Sequence, residues 1–365
     1  AEGDLDVFAR RYDSGGKALG PAFLVNAGAT AGDQVSPRIT IADSGDMVIC
    51  WWSDSQLYFR RYDRGGVALG APRPLADTQG FGREFEAFGL RDDGFVVSGD
   101  GFQLRWYGTG GALTRSESVA ATAAQDGWTL VETADPARAV RYSEYDPSWS
   151  HGPIDSIALT WAAVKTRTEG SGTVYDAQIR VMIVGPGGPS SAFLMLDDVG
   201  LTDASIAENL APRFVDSPSE VLVAWHDVDS HGFPILAAQG FAPRTDNGPI
   251  DFNFDDYGEH DGVPTAIMAL DSPDEIAVYY ATPGTTGADA GYVRVWRNTH
   301  ASTARFRWQS VDMIPIASPA SDEFGSVQIV PTVGSEFWTL WTDPDASPGL
   351  HAQRFAATGG SAFHL

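Results

Sequence analysis

Apolar and polar residues alternate with a period of two in short runs along this chain, and Gly, Asp and Asn punctuate the runs. That pattern predicts many short β-strands joined by tight turns. Two runs are near copies: residues 7–20 read VFARRYDSGGKALG and residues 57–70 read LYFRRYDRGGVALG. Each carries an alternating apolar stretch, Arg-Arg-Tyr-Asp, a Gly-Gly turn and Ala-Leu-Gly. A repeated strand–turn–strand copy predicts a fold built by reiterating one supersecondary element.

Between the copies lie PRITIAD (37–43), a Ser-Gly turn and DMVICWW (46–52). Four strands per unit are expected: a PRITIA-type inner strand, a VICWW-type second strand, the RRYD-type third strand and an outer strand. The order recurs in weaker form. The third-strand pattern appears seven times, near residues 7, 57, 103, 178, 235, 292 and 350, and no helix longer than two turns is expected. Second strands end in an aromatic at Trp51, Trp161, Trp225, Tyr280 and Trp341. Aromatics recurring at one strand position are expected to pack between neighbouring sheets.

Four-stranded antiparallel sheets repeated at this spacing predict an all-β fold, a β-propeller, spanning residues 1–365 as one domain. Six full blades are legible, plus an N-terminal third-and-outer strand pair that lacks its inner strands. Seven blades with one incomplete is the expected count, with six and an extra hairpin as the alternative; a sequence cut in mid-blade would also explain the incomplete unit. Residues 134–155, ADPARAVRYSEYDPSWSHGPID, resemble no other repeat and read as an irregular insertion.

Charge sharpens the reading. Forty-eight acids against 24 bases give a formal charge of −24, which repels polyanions and argues against nucleic-acid binding. A solubility surface and clusters that bind cations both fit that excess. The one cysteine, Cys50, lies in the apolar MVICWW run, so no intrachain disulfide is possible and a buried, inert thiol is expected. No apolar stretch approaches transmembrane length. The first residue is Ala rather than Met, which fits a removed export signal or a piece excised from a longer chain; the first is preferred, and an extracellular location is expected.

The pattern Arg-Tyr-Asp-x-x-Gly-x-x-x-Gly, then Pro-x-Ile, then Gly-x-x-Val-x-x-Trp resembles repeats of very large secreted bacterial adhesins and calcium-associated exoproteins. Residues 7–20 with 37–52, and 350–360 with 337–341, carry the resemblance best. It implies a propeller-like extracellular module and transfers no catalytic residue. The calcium-binding nonapeptide repeats of such exoproteins are absent from this sequence.

Ligands of propellers usually meet loops at one face of the scaffold. Here the long irregular segments should make that face acidic. HDVDSHG (226–232) and TDPDASPG (342–349) place Asp227 with Asp229, and Asp343 with Asp345, at alternate positions. Carboxylates so spaced can converge on a calcium ion, although neither loop has the downstream bidentate Glu, and an acidic β-turn is the competing reading. His226 and His231 flank the first pair and would suit a transition metal. DFNFDDYGEHDG (251–262) gathers Glu259, His260 and Asp261, which read as a solvated loop, a cation site or a general acid–base cluster.

The insertion sets Tyr142, Tyr145, Trp149 and His151 beside Glu144 and Asp146. Sugar rings stack on aromatic faces while carboxylates accept hydroxyl hydrogen bonds, so a glycan contact is one reading. A hairpin packing its own aromatics on the sheet beneath is the other. No Gly-x-Ser-x-Gly elbow, His-Glu-x-x-His motif, phosphate loop or sialidase Asp-box is present. The leading expectation is a secreted, non-catalytic, monomeric module that binds a glycan or cell-surface component, with calcium as a possible cofactor and no membrane insertion. The alternatives are a carbohydrate-active hydrolase or lyase with an acidic site, and a structural spacer of a larger exoprotein.

Overall fold

The computed structural model describes residues 5–119 apart from 14, 30, 54, 80, 84 and 100–102, then residues 128–130 and the strands beyond. Side chains are described through residue 119, at 128, from 156 to 185, and at single positions later. The described residues are all-β, in antiparallel sheets, with no helix among them. The chain falls into two compact units, Ala1–Leu159 with Val181–Phe193, and Thr160–Arg180 with Leu194–Leu365.

In the first unit, β1 (Phe8–Ala9) and β2 (Phe23–Leu24) form a two-stranded sheet. A four-stranded meander follows: β3 (Gln34–Ile41), β4 (Met47–Ser53), β5 (Gln56–Tyr62) and β6 (Arg73–Pro74). A second meander comprises β7 (Glu86–Gly89), β8 (Phe95–Gly99), β9 (Gln103–Tyr107) and β10 (Leu113–Ser118). The sequence copy is a structural copy in register. Phe8 pairs with Leu24 and Ala9 with Phe23, while Tyr58 pairs with Pro74 and Phe59 with Arg73. Every partner is displaced by 50 residues.

The central strand β4 explains the unbroken apolar run MVICWW. Val48, Cys50 and Trp52 on one face join a buried cluster with Phe59, Phe95, Val97 and Tyr107 of its own and the following sheet. Ile49 and Trp51 on the other face join Val7, Val25 and Tyr62. A strand buried on both faces needs apolar residues at every position rather than at alternate ones. Rings align through the first cluster, with Phe59–Phe95 centroids 5.3 Å apart and Phe95–Tyr107 5.2 Å apart. Burial also pushes the Cys50 thiol well above its ordinary range, so it stays protonated and inert, as expected from its position.

The irregular region forms a six-stranded sheet. Its strands are β11 (Thr129–Leu130), β12 (Arg138–Glu144), β13 (Ile154–Glu169), β14 (Gly172–Gly185), β15 (Gly188–Pro189) and β16 (Phe193–Leu201). The insertion thus supplies a strand, β12, which pairs with β13. At 16 and 14 residues, β13 and β14 are the longest strands described.

Three further meanders belong to the second unit. The first is β17 (Arg213–Val215), β18 (Val221–Val228), β19 (Pro234–Phe241) and β20 (Ile250–Phe252). The second is β21 (Val263–Ala269), β22 (Glu275–Ala281), β23 (Gly291–Asn298) and β24 (Trp308–Pro315). The third is β25 (Gln328–Pro331), β26 (Glu336–Thr342), β27 (Leu350–Ala356) and β28 (Ser361–His364). Within each unit the first strand of one sheet lies beside the first strand of the next: β3 beside β7, and β21 beside both β17 and β25. All seven third-strand patterns of the sequence fall on strands. Trp51 and Trp161 are buried, as the sheet-packing expectation requires. Trp225, Tyr280 and Trp341 lie on strands whose side chains at those positions are outside the described set.

Candidate functional site

The repeated RRYDxGG motif is the best-defined constellation, and its geometry gives each residue a structural task. Asp13 closes its turn by accepting hydrogen bonds from the amides of Gly15 at 3.0 Å and Lys17 at 2.9 Å. Asp63 accepts from Val67 N at 2.7 Å in the second copy. Gly16 and Gly66 take φ of 80° and 84°, the left-handed step that ends this kind of hairpin turn. The motif's first Arg and its Tyr reach backward. Arg60 Nη1 and Tyr62 OH both donate to Val25 O, at 2.9 and 3.3 Å. In the next unit Arg105 Nε donates to Asp77 O at 3.1 Å and Tyr107 OH to Ala76 O at 2.7 Å.

The second Arg reaches forward into the turn of the following unit. Arg11 donates through Nη2 to Arg64 O at 2.8 Å and through Nη1 to Gly65 O. Arg61 donates through Nη1 to Thr109 O, at the equivalent place one unit on, and to Asp93 O. Arg61 also pairs with Asp46 at 3.0 Å, both side chains largely buried. A guanidinium suits this work because its planar fork can serve several carbonyls at once. Arg61→Ala should therefore cost about 2 kcal/mol, as lost charge-assisted bonds within a partly buried pair. Arg61→Lys should recover less than half, and the shift in urea midpoint followed by far-UV circular dichroism checks both.

A second polar group holds the loop preceding β3. Buried Gln34 accepts from Trp51 Nε1 at 2.7 Å and donates to Ser53 Oγ at 2.8 Å and Ala31 O at 2.9 Å. Buried Asn26 accepts from Val7 N at 3.1 Å and donates to Asp6 Oδ1 at 2.7 Å. Near the β13–β14 turn, Arg167 Nε lies 3.1 and 3.0 Å from the two carboxylate oxygens of buried Asp176, while Nη1 meets Glu169 at 3.1 Å. The Asp176 hydrogen bond raises the Arg167 pKa above its ordinary value. Tyr107 is raised by burial, so its phenol stays a neutral donor. Among the described residues no three His, Cys, Asp or Glu gather closely enough to hold a metal ion.

The residues singled out by the sequence lie elsewhere. Asp227 is on β18 rather than in a loop, because the β18–β19 ladder continues through His226↔Leu236, Asp227↔Ile235 and Val228↔Pro234. Its side chain, and Asp229, Asp343 and Asp345 entirely, lie outside the described residues. Tyr142 is placed on β12 by its backbone alone. Tyr145, Trp149, His151, Glu259, His260 and Asp261 also lie outside the described residues. Sequence reading passed over the arginine links. Their signal was the exact doubling of Arg-Arg beside a turn, which no local strand pattern requires.

No protein-family model matches the chain, and no curated protein matches it. Solved structures do. Kuenenia stuttgartiensis hydrazine synthase aligns at 12% identity over 96% of this chain and 90% of that one, with a TM-score of 0.50. The structure titled Dos1 propeller aligns at 12% identity over 97% of this chain and 74% of that one, with a TM-score of 0.48. A polysaccharide lyase of family PL25, an ulvan lyase, aligns at 10% identity over 88% and 79%, with a TM-score of 0.47. At such identities the likeness concerns the fold alone, which the sheets themselves describe as all-β and antiparallel.

Proposed function

We propose that the sheets are blades of a β-propeller and that the chain is a non-catalytic binding module. Its ligand is a glycan or another cell-surface component, met by the acidic loops and the aromatic insertion. The observation that carries this reading is the division of labour along the sequence. The charged and aromatic residues that recur in the motif, Arg11, Arg60, Tyr62 and Asp63 among them, hold turns and neighbouring units together. Aromatics mixed with acids outside that pattern occur in residues 134–155 and again in residues 251–262. Rigid repeated sheets with ligand-binding irregular segments follow the general rule that loops carry function on a fixed scaffold.

The resemblance to adhesin repeats and the charge of −24 support an extracellular setting in which calcium bridges acidic loops and ligand. Thermal melting of the full chain against a polysaccharide panel, with EDTA and with millimolar calcium, tests the proposal. A binding glycan should raise the melting temperature by several degrees, because it binds only the folded state. Trp149→Ala or Tyr145→Ala should abolish the rise while leaving the unliganded melt in place. A flat response across the panel in both conditions would overturn the reading.

A further inference from the structure

We infer that Arg115 is a positioning residue that fixes the root of segment 134–155 against the repeated scaffold, an inference that rests on the reading of that segment as the glycan contact. The forward-reaching arginine of the motif is missing from the second meander. Arg105 and Tyr107 of β9 stand where Arg60 and Tyr62 stand in β5, so Trp106 occupies the place of Arg61. The reach is made instead from the neighbouring strand. Arg115 of β10 pairs across the ladder with Trp106, and its guanidinium lies over the indole, 4.4 Å from the ring centroid. Its Nη1 donates to Gly185 O at 2.7 Å, at the turn between β14 and β15 of the next sheet. Arg61 makes the same kind of contact with Thr109 O, at the turn between β9 and β10. An arginine lost at one position and supplied at the facing one keeps the link between units.

What Arg115 grips decides what it does. Glu117 Oε1 accepts from Nε at 3.1 Å and from Nη2 at 2.9 Å, and the Trp106 ring covers one face of the guanidinium. Both constrain the planar fork, so the bond to Gly185 O is made from a fixed position. Gly185 lies against the start of β13: a Cβ there would stand 3.2 Å from Ser156 Oγ. β13 begins at Ile154, two residues before Ser156, and residues 145–153 are the connection that enters it from β12. The carbonyl that Arg115 holds is therefore beside the root of the segment bearing Tyr145, Trp149 and His151. In the preceding unit one guanidinium serves both turns at this end of the next sheet, since Arg61 Nη1 donates to Asp93 O as well as to Thr109 O. The Asp93 turn joins β7 to β8, and its counterpart in the six-stranded sheet is the β12–β13 connection, because β12 lies beside β7 and pairs with β13. A ligand contact carried on a connection needs such an anchor, since affinity falls when the segment must be ordered at binding.

Hydrogen exchange read by mass spectrometry on the full chain tests the anchor without any ligand. In Arg115→Ala the amides of residues 145–158 should exchange at least tenfold faster than in the parent, while those of β4 and β5 keep their rates. Trp106→Arg added to that variant returns an arginine to the motif position and should slow the exchange again at least threefold. Unchanged exchange in a folded Arg115→Ala overturns the inference. So does acceleration spread evenly along the chain that Trp106→Arg does not reverse. Should Arg115→Ala fail to fold, Arg115→Lys, which keeps the charge and loses the fork, carries the same comparison. The effect on binding is read separately, as the affinity of the full chain for the polysaccharide that stabilises the parent in the melting panel. Arg115→Ala should weaken it at least fivefold at a temperature where the unliganded variant is folded. An unchanged affinity overturns the positioning role and leaves the glycan reading standing. A panel without a binder overturns the glycan reading instead, and the exchange rates then decide the anchor alone.

Discussion

Trp51→Ala should lower stability by about 4 kcal/mol, the range found for removing a large buried aromatic. Trp51 is fully buried on β4, and its indole lies between the two β-layers whose packing depends on it, alongside Val7, Val25, Ile49 and Tyr62. The loss has a second part. Gln34 Oε1 accepts from Trp51 Nε1 at 2.7 Å, and Gln34 is itself buried, so truncation leaves an acceptor without its donor. Trp51→Phe separates the two effects: most of the packing survives, the donor is lost, and the cost should fall to about 2 kcal/mol. The same comparison tests whether the recurrent second-strand aromatic is a packing element or a ligand platform. A platform would tolerate truncation. Because the chain has 11 tryptophans, the urea midpoint is better followed by far-UV circular dichroism than by fluorescence.

The strands were legible wherever a local pattern produces them. The period-two runs near residues 7, 57, 103, 178, 235, 292 and 350 all fall on strands. The MVICWW run reads as a second strand with a buried Cys50; that β4 is covered on both faces, with Val48 and Ile49 buried on opposite sides, comes from the structure. Less was legible where structure depends on distant partners. That β12 would pair with β13, and that β13 would run for 16 residues, follows from pairing across the insertion rather than from alternation. The forward reach of Arg11 and Arg61 joins residues 53 and 48 positions apart, beyond any local signal. Asp227 was read as a loop residue from its Asp-x-Asp spacing, but the ladder opposite Ile235 extends the strand through it. The candidate ligand residues, from Tyr142 to Asp345, belong to segments chosen for chemistry rather than periodicity. Convergence of such groups on one ligand is a property of three dimensions that spacing alone does not encode.

Gly89→Ala should cost about 3 kcal/mol, at the upper end for overfilling a packed site, because the obstruction is backbone. Gly89 lies on β7, where the sheet meets the preceding one at β3. A Cβ there would stand 2.7 Å from the Ile41 carbonyl carbon and 2.9 Å from the Ala42 amide nitrogen, with the Ile41 oxygen closer still. A flexible side chain could swing aside, but a strand held in its own ladder cannot. The Gly89 amide also donates to Thr40 Oγ1 at 2.6 Å, so pushing the strands apart breaks a link between the sheets as well. Two comparisons isolate the steric part. Thr40→Val removes only the acceptor and should cost about 1 kcal/mol. Gly70→Ala, where an added Cβ meets nothing within 4 Å, should shift the urea midpoint little in either direction. A Gly89→Ala midpoint close to that of Gly70→Ala would mean that the first strands of adjacent sheets are not in backbone contact. The side-by-side packing of adjacent first strands, on which the propeller proposal draws, would then lose its tightest physical support.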